Sequence, residues 1–448
     1  MRRVVVTGLG VISPHGLSTA DFFKALSEGH SSTAPLTTFD PSGFPTRVAG
    51  AIPAFKITDY VPKSYRKATK IMARDIELAI VAADGAVRDA KLATRGILEF
   101  MGGKKPDDSW FSPDPSRVGC NIGAGLLAAD LNELTAAFAQ AKNPDGTLSL
   151  TRWGKSDDPA KTSGMDQLTP LWLLKYLPNM LACHVSIIHD TQGPSNTITC
   201  GQASAGLSLA EACRSIQRDC ADIALVGGFE TILHLMGLMR WSLLNRLTTT
   251  SNDQPAAACR PLDQAAAGTV PAEGGAVLVI EELQHARARG ARIYCEIAGL
   301  GASSSALGVG PPDSSGEALG VAMTKALKDA KITSDAVQMV VPSGYGIPQF
   351  DRHDAHAIQR VFGLKSKVTV APVRGGIGDM AAGSQALDLA AGALAIHAGK
   401  IFPAVNCPNP IEGLSVPQFL TSANLEHVMV ATESLSGQNA AVVLKRYA

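Results

Sequence analysis

The sequence predicts a duplicated α/β fold with two mixed sheets and five layers, in the order helix, sheet, helix, sheet, helix. Short β-branched runs alternate with amphipathic helical stretches, an order that is typical of sheets covered by helices on both faces. The alternation starts again near Arg292, which predicts two similar halves, residues 1–290 and 291–448. The chain also contains 43 glycines in 448 residues, a content that favours close packing of helices on sheets over disorder.

The N-terminal half contains most of the predicted elements. Apolar runs and helical periodicity place strands at 4–7, 118–122, 197–199, 222–227 and 277–280, and helices at 17–28, 68–92, 123–140, 170–188 and after the turn at 200–206. Polar segments near 97–116 and 142–167 are predicted to be inserted surface loops. Trp110 and Phe111 in the first loop could form a local clamp or contact a partner.

The C-terminal half repeats the alternation with fewer interruptions. Its predicted elements are strands at 293–297, 336–342 and 367–372, helices at 315–331, 351–362 and 383–397, and three closing strands. Parallel strands joined by helices require right-handed crossovers, so we expect a sheet buried on both faces in this half as well.

Composition excludes several classes of protein. The chain carries 40 basic and 40 acidic side chains, whereas a generic nucleic-acid binder normally has a basic excess. No apolar run reaches the roughly 20 residues needed to cross a bilayer, and the apolar start is too short for a signal peptide. The eight cysteines include no Cys-x-x-Cys pair, which favours reduced core thiols over a zinc site. We therefore expect a cytoplasmic protein without nucleic-acid, membrane or metal partners.

The first strand leads into Gly8-Leu9-Gly10, which is similar to the start of a dinucleotide-binding fingerprint. Ser13 stands where the third glycine would be, and no convincing acidic residue follows at the expected distance. We therefore favour a tight strand-to-loop turn over a nucleotide site at this position.

The stretch from Asn196 to Gly206 has the pattern of an active-site turn. A β-branched run passes through small residues into a helix, and such turns present nucleophiles at helix N-termini, where backbone N–H groups favour negative charge. Gln202 stands at the apex. Because a neutral amide cannot attack a thioester, the pattern predicts an active-site setting without its nucleophile.

Several motifs together identify a family. They are the N-terminal Val-Val-Val-Thr-Gly-Leu-Gly-Val-Ile-Ser-Pro-His-Gly, Gly193-Pro194-Ser195, the run from Ala221-Asp222 to Gly228, Arg260-Pro261-Leu262-Asp263 and Glu273-Gly274-Gly275-Ala276. With them the chain resembles a β-ketoacyl-acyl carrier protein synthase of the thiolase superfamily over nearly its whole length. The resemblance implies a thiolase-like fold and a carrier protein whose phosphopantetheine presents the substrate, with no cofactor bound directly.

The chain departs from that family at its functional positions. A condensing synthase uses a cysteine thiolate to take the acyl chain, and two histidines to bind malonyl thioester and stabilise the charge formed as CO2 leaves. By the family's motifs, Gln202 occupies the cysteine position, Ser343 the first histidine position and Asp379 the second. Leu435 aligns with the phenylalanine of the family's Gly-Phe-Gly-Gly gate. We therefore expect no catalytic residue at these positions.

The Gly-Gln-Ala sequence at the nucleophile turn is similar to that of chain-length factors of type II polyketide synthases. That resemblance implies a catalytic ketosynthase as partner in a heterodimer or heterotetramer, an acyl carrier protein as second partner, and a tunnel whose closure sets polyketide or polyene length. Leu127, Leu131 and Leu134, on the helix predicted after Gly125, are the gate candidates, although any of them could be an ordinary core leucine. Gln202 would be structural or would fill the oxyanion site with its amide.

Three alternatives remain open from the sequence. The chain could decarboxylate malonyl-carrier protein to provide starter units, although Ser343 and Asp379 leave little to stabilise an enolate. Cys200 could be a displaced nucleophile, but it would lie away from the helix N-terminus that activates a thiol. Finally, the protein could be a non-catalytic homodimer that binds acyl chains or carrier proteins.

Overall fold

The computed structural model describes residues 2–127, 129–154, 162–306, 310, 312, 314–364 and 366–447. The strands are β1 (Val4–Ile12), β2 (Ala34–Pro35), β3 (Val48–Ala49), β4 (Val118–Ala124), β5 (Ser195–Ile198), β6 (Ile223–Thr231), β7 (Glu273–Glu282), β8 (Cys295–Ser304), β9 (Met339–Val341), β10 (Thr369–Val370), β11 (Lys400–Ile401), β12 (Thr421–Ser422), β13 (His427–Glu433) and β14 (Gln438–Lys445). The helices are α1 (Thr19–Glu28), α2 (Arg74–Asp89), α3 (Arg95–Phe100), α4 (Leu131–Ala141), α5 (Leu150–Gly154), α6 (Met180–His189), α7 (Ser204–Gln217), α8 (Leu235–Leu243), α9 (Leu283–Ala288), α10 (Glu317–Ala330), α11 (Pro348–Phe362) and α12 (Ser384–Ala398).

Ten strands form the main sheet in the order β10-β9-β13-β14-β8-β1-β7-β6-β4-β5. The two predicted mixed sheets are its five-stranded halves. In one half β4 runs parallel to β5 and β6 while β7 is antiparallel to β6, and in the other β9 runs parallel to β10 and β13 while β14 is antiparallel to β13. The halves meet where Val4–Val6 of β1 pairs antiparallel with Cys295–Ile297 of β8.

The layers follow from which faces of the strands are apolar. Helices α7 and α12 share one core with inner-facing residues of both halves, from β1, β6 and β7 on one side and β13 and β14 on the other. Helices α2 and α6 cover the outer face of the N-terminal half. Helices α10 and α11 cover the outer face of the C-terminal half. The stack is therefore helix, sheet, helix, sheet, helix, and the predicted duplicated fold is confirmed.

The turn predicted at Gly8-Leu9-Gly10 is wrong, because β1 continues through these residues to Ile12. The absence of a side chain at Gly8 and Gly10 allows a helix to pack closely against the strand instead. A Cβ atom on Gly10 would lie 1.9 Å from the Ala82 carbonyl oxygen of α2, and one on Gly8 would lie 2.6 Å from that of Ala86. The two glycines let α2 approach the strand, and no loop forms there that could cradle a pyrophosphate.

The helix predicted at 123–140 begins at Leu131, eight residues after its predicted start. Strand β4 extends to Ala124, and α4 starts only at Leu131, where the Asp130 side chain caps the Asn132 N–H. Gly123 itself belongs to the strand, where a Cβ atom would lie 2.7 Å from the carbonyl carbon of Ser204. Pairing of Gly123 with β5 and of Ala124 with β6, together with this close approach, keeps these two residues in the strand, which helical periodicity does not reveal.

Several other elements of the structure differ from the predicted ones in their boundaries. The apolar stretch 170–188 is divided: a 3₁₀ turn at Trp172–Tyr176 precedes α6, and Pro178 lies between them. Both predicted polar loops contain a short helix, α3 and α5, and residues 155–161 of the second loop lie outside the described residues. Helices α8 and α9 are not predicted from the sequence. Within the described ranges, no helix combines the length and the apolar composition that crossing a bilayer requires.

The aromatic pair in the first polar segment forms a local clamp. The Phe111 ring meets the His285 ring edge-on at 5.2 Å between centroids, and the Arg289 guanidinium lies 5.7 Å from its centre. Trp110 packs against the core beneath α2 and α6.

The contact of β1 with α2 gives a first prediction. Gly10→Ala should lower the urea midpoint of unfolding, with a loss of about 1–3 kcal/mol, because the new methyl group overlaps a helix backbone that cannot move without disturbing the core. Gly43→Ala is the matched control, since a Cβ there has no neighbour within 4 Å, and it should change stability by less than about 0.5 kcal/mol. Equal midpoints for the two variants would contradict the role given to Gly10.

Candidate active site

The nucleophile turn joins β5 to α7. Gly201 adopts a left-handed conformation with φ of +53°, which a residue with a side chain adopts only with strain. The Ser204 hydroxyl fixes the turn, since it accepts from the Cys200 N–H at 2.8 Å and donates to the Gly201 carbonyl at 2.6 Å. Gln202 follows in a 3₁₀ turn and is buried. The predicted strand–turn–helix geometry is therefore present, with an amide at its apex.

Both ends of the Gln202 amide have partners. Its Nε2 donates to Oδ2 of Asp379 at 2.9 Å, and its Oε1 accepts from the backbone N–H of Leu435 at 3.1 Å. Buried amides are costly unless they are hydrogen-bonded, and these bonds satisfy a donor and the acceptor. The structure thus brings three of the predicted positions into direct contact: the nucleophile position, the second histidine position and the gate.

Asp379 is the centre of this group. Besides Gln202, its carboxylate accepts from the Ser384 hydroxyl at 2.5 Å and lies 3.3 Å from Nε of Arg374. Its backbone is held as well, since its N–H donates to the Val270 carbonyl at 2.8 Å. Asp379 therefore sits in a fixed position as a hydrogen-bond acceptor.

Arg374 lies beneath Asp379, and its side chain is 1% exposed. Its Nη2 lies 3.2 Å from Oδ2 of Asp388, and its guanidinium carbon lies 4.8 Å from the centre of the Tyr345 ring. A charge removed from water needs compensation by opposite charge and polar contacts. Two carboxylates and an aromatic face provide that compensation here.

Ser343 occupies a neighbouring part of the site. Its hydroxyl oxygen accepts from the backbone N–H of Glu433 at 3.0 Å, two residues before Leu435. The Glu433 carboxylate lies 2.7 Å from Nδ1 of the buried His353. Ser343 is therefore linked to Gln202 through the segment 433–435, and it holds the backbone of that segment.

Leu435 is half-buried and packs on two sides. One side contacts the cluster that contains Ala381, and the other contacts the cluster of Tyr345, Ile347 and Phe350. The gate segment is consequently anchored by packing as well as by the Gln202 amide.

The three leucines predicted as gate candidates lie in different environments. Leu127 is buried in the core under α2 and α6. Leu131, the first residue of α4, lines a pocket of about 570 Å³. Leu134 is half-buried one turn later on the same helix and is outside that lining. Of the three, Leu131 is the one that lines this pocket, whose volume is large enough for a ligand.

The pocket at Leu131 has charged walls, which the sequence did not indicate. Its lining comprises Thr38, Phe39, Ile52, Met72, Ala73, Arg74, Asp75, Ala129, Asp130, Leu131, Asn132, Glu133, Lys175, Tyr176, Thr231, Leu233, His234, Leu235, Met236 and Glu273. Arg74 makes a two-pronged contact with Glu273, at 2.9 and 3.0 Å. Lys175 pairs with Glu133, which also accepts from the Tyr176 hydroxyl at 2.9 Å.

Two buried acids, Glu230 and Asp75, connect this pocket to the segment that follows Asp379. Oε2 of Glu230 accepts from the Ala382 N–H at 3.0 Å, and Oδ1 of Asp75 accepts from the Thr231 N–H at 3.0 Å. Burial raises the pKa of Glu230 to about 8, and the nearby Asp75 carboxyl adds to that rise. Burial likewise raises the pKa of Asp75 to about 7. Both acids therefore hold their proton to a higher pH than a carboxyl in water.

Cys200 lies in the same turn but lacks the setting of a nucleophile. Its thiol is partly buried, and that burial raises its pKa, whereas an attacking thiol needs a lowered one. The structure thus weighs against Cys200 as a displaced nucleophile.

Sequence reasoning missed Arg374, Asp388, Glu230 and Asp75 as members of the site. Asp388 stands inside the apolar run of α12, and a charge at such a position is a signal of a buried partner. Asp75 carries no such signal, because an acid in the first turn of a helix is common on protein surfaces.

Comparisons with known proteins identify the family and the fold of the chain. Residues 1–286 match the family described as "Beta-ketoacyl synthase, N-terminal domain", and residues 294–408 match "Beta-ketoacyl synthase, C-terminal domain". The chain is 31% identical to "3-oxoacyl-[acyl-carrier-protein] synthase 2" of Coxiella burnetii (strain RSA 493 / Nine Mile phase I), with 99% of each chain covered. It is 29% identical to the protein of the same name from Vibrio harveyi, covering 100% of this chain and 99% of the other.

Among solved structures, "The ishigamide ketosynthase/chain length factor" matches with a TM-score of 0.80 and 25% identity over 100% of both chains. A beta-ketoacyl synthase from Burkholderia phymatum STM815 matches with a TM-score of 0.81 and 24% identity, again over 100% of both chains. The second likeness concerns the fold alone.

The raised pKa of Glu230 gives a second prediction. The folded state keeps a proton up to about pH 8 that the unfolded state loses near 4.5, so Glu230 costs stability as the pH rises through this window. Glu230→Gln removes that titration. From pH 5 to pH 8 the variant should gain stability relative to the parent, with a slope of at most about 1.4 kcal/mol per pH unit.

The measurement is urea unfolding of both proteins at several pH values between 5 and 8. Glu412→Gln, at an exposed position, is the matched surface control. If the free energies of unfolding of Glu230→Gln and of the parent change equally with pH across this range, the raised pKa assigned to Glu230 is wrong.

Proposed function

This chain belongs to the β-ketoacyl synthase family, and we propose that it is a non-condensing subunit that pairs with a catalytic ketosynthase and limits the length of the chain made by the pair. The observation that carries the proposal is the Gln202 amide, which occupies the nucleophile turn and is bonded at both ends, to Asp379 and to the Leu435 N–H. A site closed in this way serves structure and leaves no group to accept an acyl chain.

The chemistry of the three matched positions supports this role. Condensation in the family requires a thiolate to hold the acyl chain and imidazoles to stabilise the enolate formed on loss of CO2. Gln202 offers no nucleophile, and the Ser343 hydroxyl is engaged with the Glu433 N–H. A carboxylate at Asp379 would repel an enolate, and its oxygens are already occupied by Gln202, Ser384 and Arg374.

The comparisons support a ketosynthase scaffold. They include proteins named as synthases and a structure named for a chain length factor. The full-length curated relatives carry the name of a synthase, and one solved neighbour is named for a ketosynthase and a chain length factor together. A non-condensing partner would need the whole scaffold, because it must present the same face as the subunit that it replaces in a pseudo-symmetric dimer. Retention of the scaffold with loss of the reacting groups is the combination expected of such a subunit.

The surface has features that suit a large protein interface. Strand β5 ends the sheet, and within the described residues its outer edge has no strand paired to it. Unpaired edges are normally covered. Large apolar side chains are exposed on the segments after β4 and on α8, among them Leu126, Phe138, Leu150, Leu171, Leu173 and Leu243. In the proposed complex the ketosynthase covers this edge, and the acyl carrier protein, which bears phosphopantetheine, docks mainly on that catalytic subunit.

A malonyl-carrier assay tests the proposal. It uses this chain alone, the cognate ketosynthase alone and the pair, and it follows CO2 release and product length by mass spectrometry. We expect no reaction from this chain alone and one defined product length from the pair. Release of CO2 by the chain alone would support a malonyl-carrier decarboxylase instead, and no change on adding the ketosynthase would support a non-catalytic homodimer.

The same assay gives a third prediction, for the nucleophile turn. In the pair, Gln202→Ala should leave condensation largely intact, because the amide contributes hydrogen bonds within this subunit and takes part in no reaction step. Cys200→Ala is the matched control for the neighbouring thiol and should behave alike. Loss of all product from Gln202→Ala in a folded dimer would contradict a passive role.

The position of Leu131 gives a fourth prediction. Leu131→Ala enlarges the pocket at the start of α4, so the pair should shift its products towards longer chains. Leu134→Ala, one turn further along the same helix and outside the pocket lining, should leave the distribution unchanged. An equal shift from both variants would show that general loosening of α4, and not the gate position, controls length.

A further inference from the structure

The pocket that contains Leu131 and Asp75, called the Asp75 pocket here, has a polar inner wall. A pocket that only limits the length of an alkyl chain needs large side chains to fill its end. Apolar side chains fill that space without a penalty for removing polar groups from water. This pocket of about 570 Å³ has such side chains, including Phe39, Ile52 and Met236, yet Asp75 and Glu273 line it as well. Buried carboxyls are expensive unless they have partners, so their presence needs an explanation.

The presence of the Glu273 carboxyl in the pocket lining is explained by its contacts within the protein. Its two oxygens contact Arg74, and Oε1 also accepts from the Ile52 N–H at 3.3 Å. Glu133, which also lines the pocket, is likewise engaged by Lys175 and Tyr176. These two acids form internal ion pairs and therefore need no ligand.

Asp75 is different. It is 5% exposed, it borders the pocket, and Oδ1 accepts from the Thr231 N–H. Among the described residues, no Lys or Arg nitrogen lies within ion-pair distance of its carboxyl. The protein supplies hydrogen bonding from the backbone and no cation in contact, so a ligand in the pocket meets a carboxyl that can still form hydrogen bonds.

The pocket lies close behind the nucleophile turn. Gln202 contacts Asp379, and Ala382, three residues further along, donates to Glu230. Thr231, the next residue after Glu230, lines the pocket and bonds Asp75. On the proposed function, a chain that enters this subunit from the catalytic partner reaches the pocket at Leu131 with its distal end, which derives from the starter unit.

We propose that the Asp75 pocket binds the starter end of the growing chain and that Asp75 selects a starter that ends in a hydroxyl group over one that ends in a methyl group. The inference rests on the proposed function. A hydroxyl can donate to a carboxylate and can accept from a carboxylic acid, so it pairs with Asp75 in either protonation state. An alkyl end would strip water from the carboxyl and offer no hydrogen bond in return.

The experiment is a starter competition with the reconstituted pair. Equal amounts of octanoyl-carrier protein and 8-hydroxyoctanoyl-carrier protein are supplied with malonyl-carrier protein, and mass spectrometry measures the ratio of hydroxylated to unhydroxylated products. In Asp75→Leu this ratio should fall about tenfold relative to the parent, because one hydrogen bond to a buried carboxyl is lost. Asp75→Asn, whose amide also donates and accepts, should retain most of the preference.

Asp84→Asn is the matched control, since Asp84 is a buried aspartate on the same helix, paired with Arg88 and outside the pocket. It should keep the parent ratio. A ratio measured within one sample does not depend on how much of a variant is folded. If Asp75→Leu and the parent give the same ratio, the inference is wrong while the chain-length role stands. If the pair makes no product from either starter, the proposed function itself fails.

Discussion

The buried guanidinium of Arg374 is the constraint on which the centre of this molecule depends. A full charge with 1% exposure is stable only where carboxylates compensate it, and Asp379 and Asp388 lie at 3.3 and 3.2 Å. Asp379 in turn accepts from Gln202, whose carbonyl oxygen holds the Leu435 N–H. The charge balance of the core, the nucleophile turn and the gate segment are therefore parts of one network.

This network explains why Gln202, Asp379 and Ser343 suit one another. An amide offers a donor and an acceptor on one short side chain, which matches a carboxylate on one side and a backbone N–H on the other. A thiol at position 202 would offer only weak hydrogen bonds to Asp379 and Leu435. Ser343 adds a hydrogen bond from the Glu433 N–H, so the segment 433–435 is held by the side chains of both Ser343 and Gln202. Gln202, Ser343 and Asp379 thus stabilise a closed centre together.

Much of the fold could be predicted from the sequence, because strands such as β4 and β6 and helices such as α10 and α12 are set by local apolar patterns. The extension of β4 through Gly123 could not, since the close approach of Gly123 to Ser204 is a contact between distant segments. Motif matching named Gln202, Ser343 and Asp379, but their hydrogen bonds depend on how three segments meet. The Asp75 pocket could not be predicted for the same reason, because its walls come from seven stretches of the chain.

The interlocking of Gln202 with Asp379 has a consequence for the history of this protein. A cysteine at 202 alone would leave Asp379 and the Leu435 N–H short of a hydrogen-bond partner, and a histidine at 379 alone would leave Arg374 with Asp388 as its one remaining carboxylate. Leaving a buried polar group without one of its partners costs about 1–3 kcal/mol, which is a sizeable part of the stability of a typical domain. A change at one of these positions therefore weakens the contacts of the others, so selection acts on Gln202, Asp379 and Arg374 as a set and a new residue at one position is retained most easily together with a matching change at its neighbour.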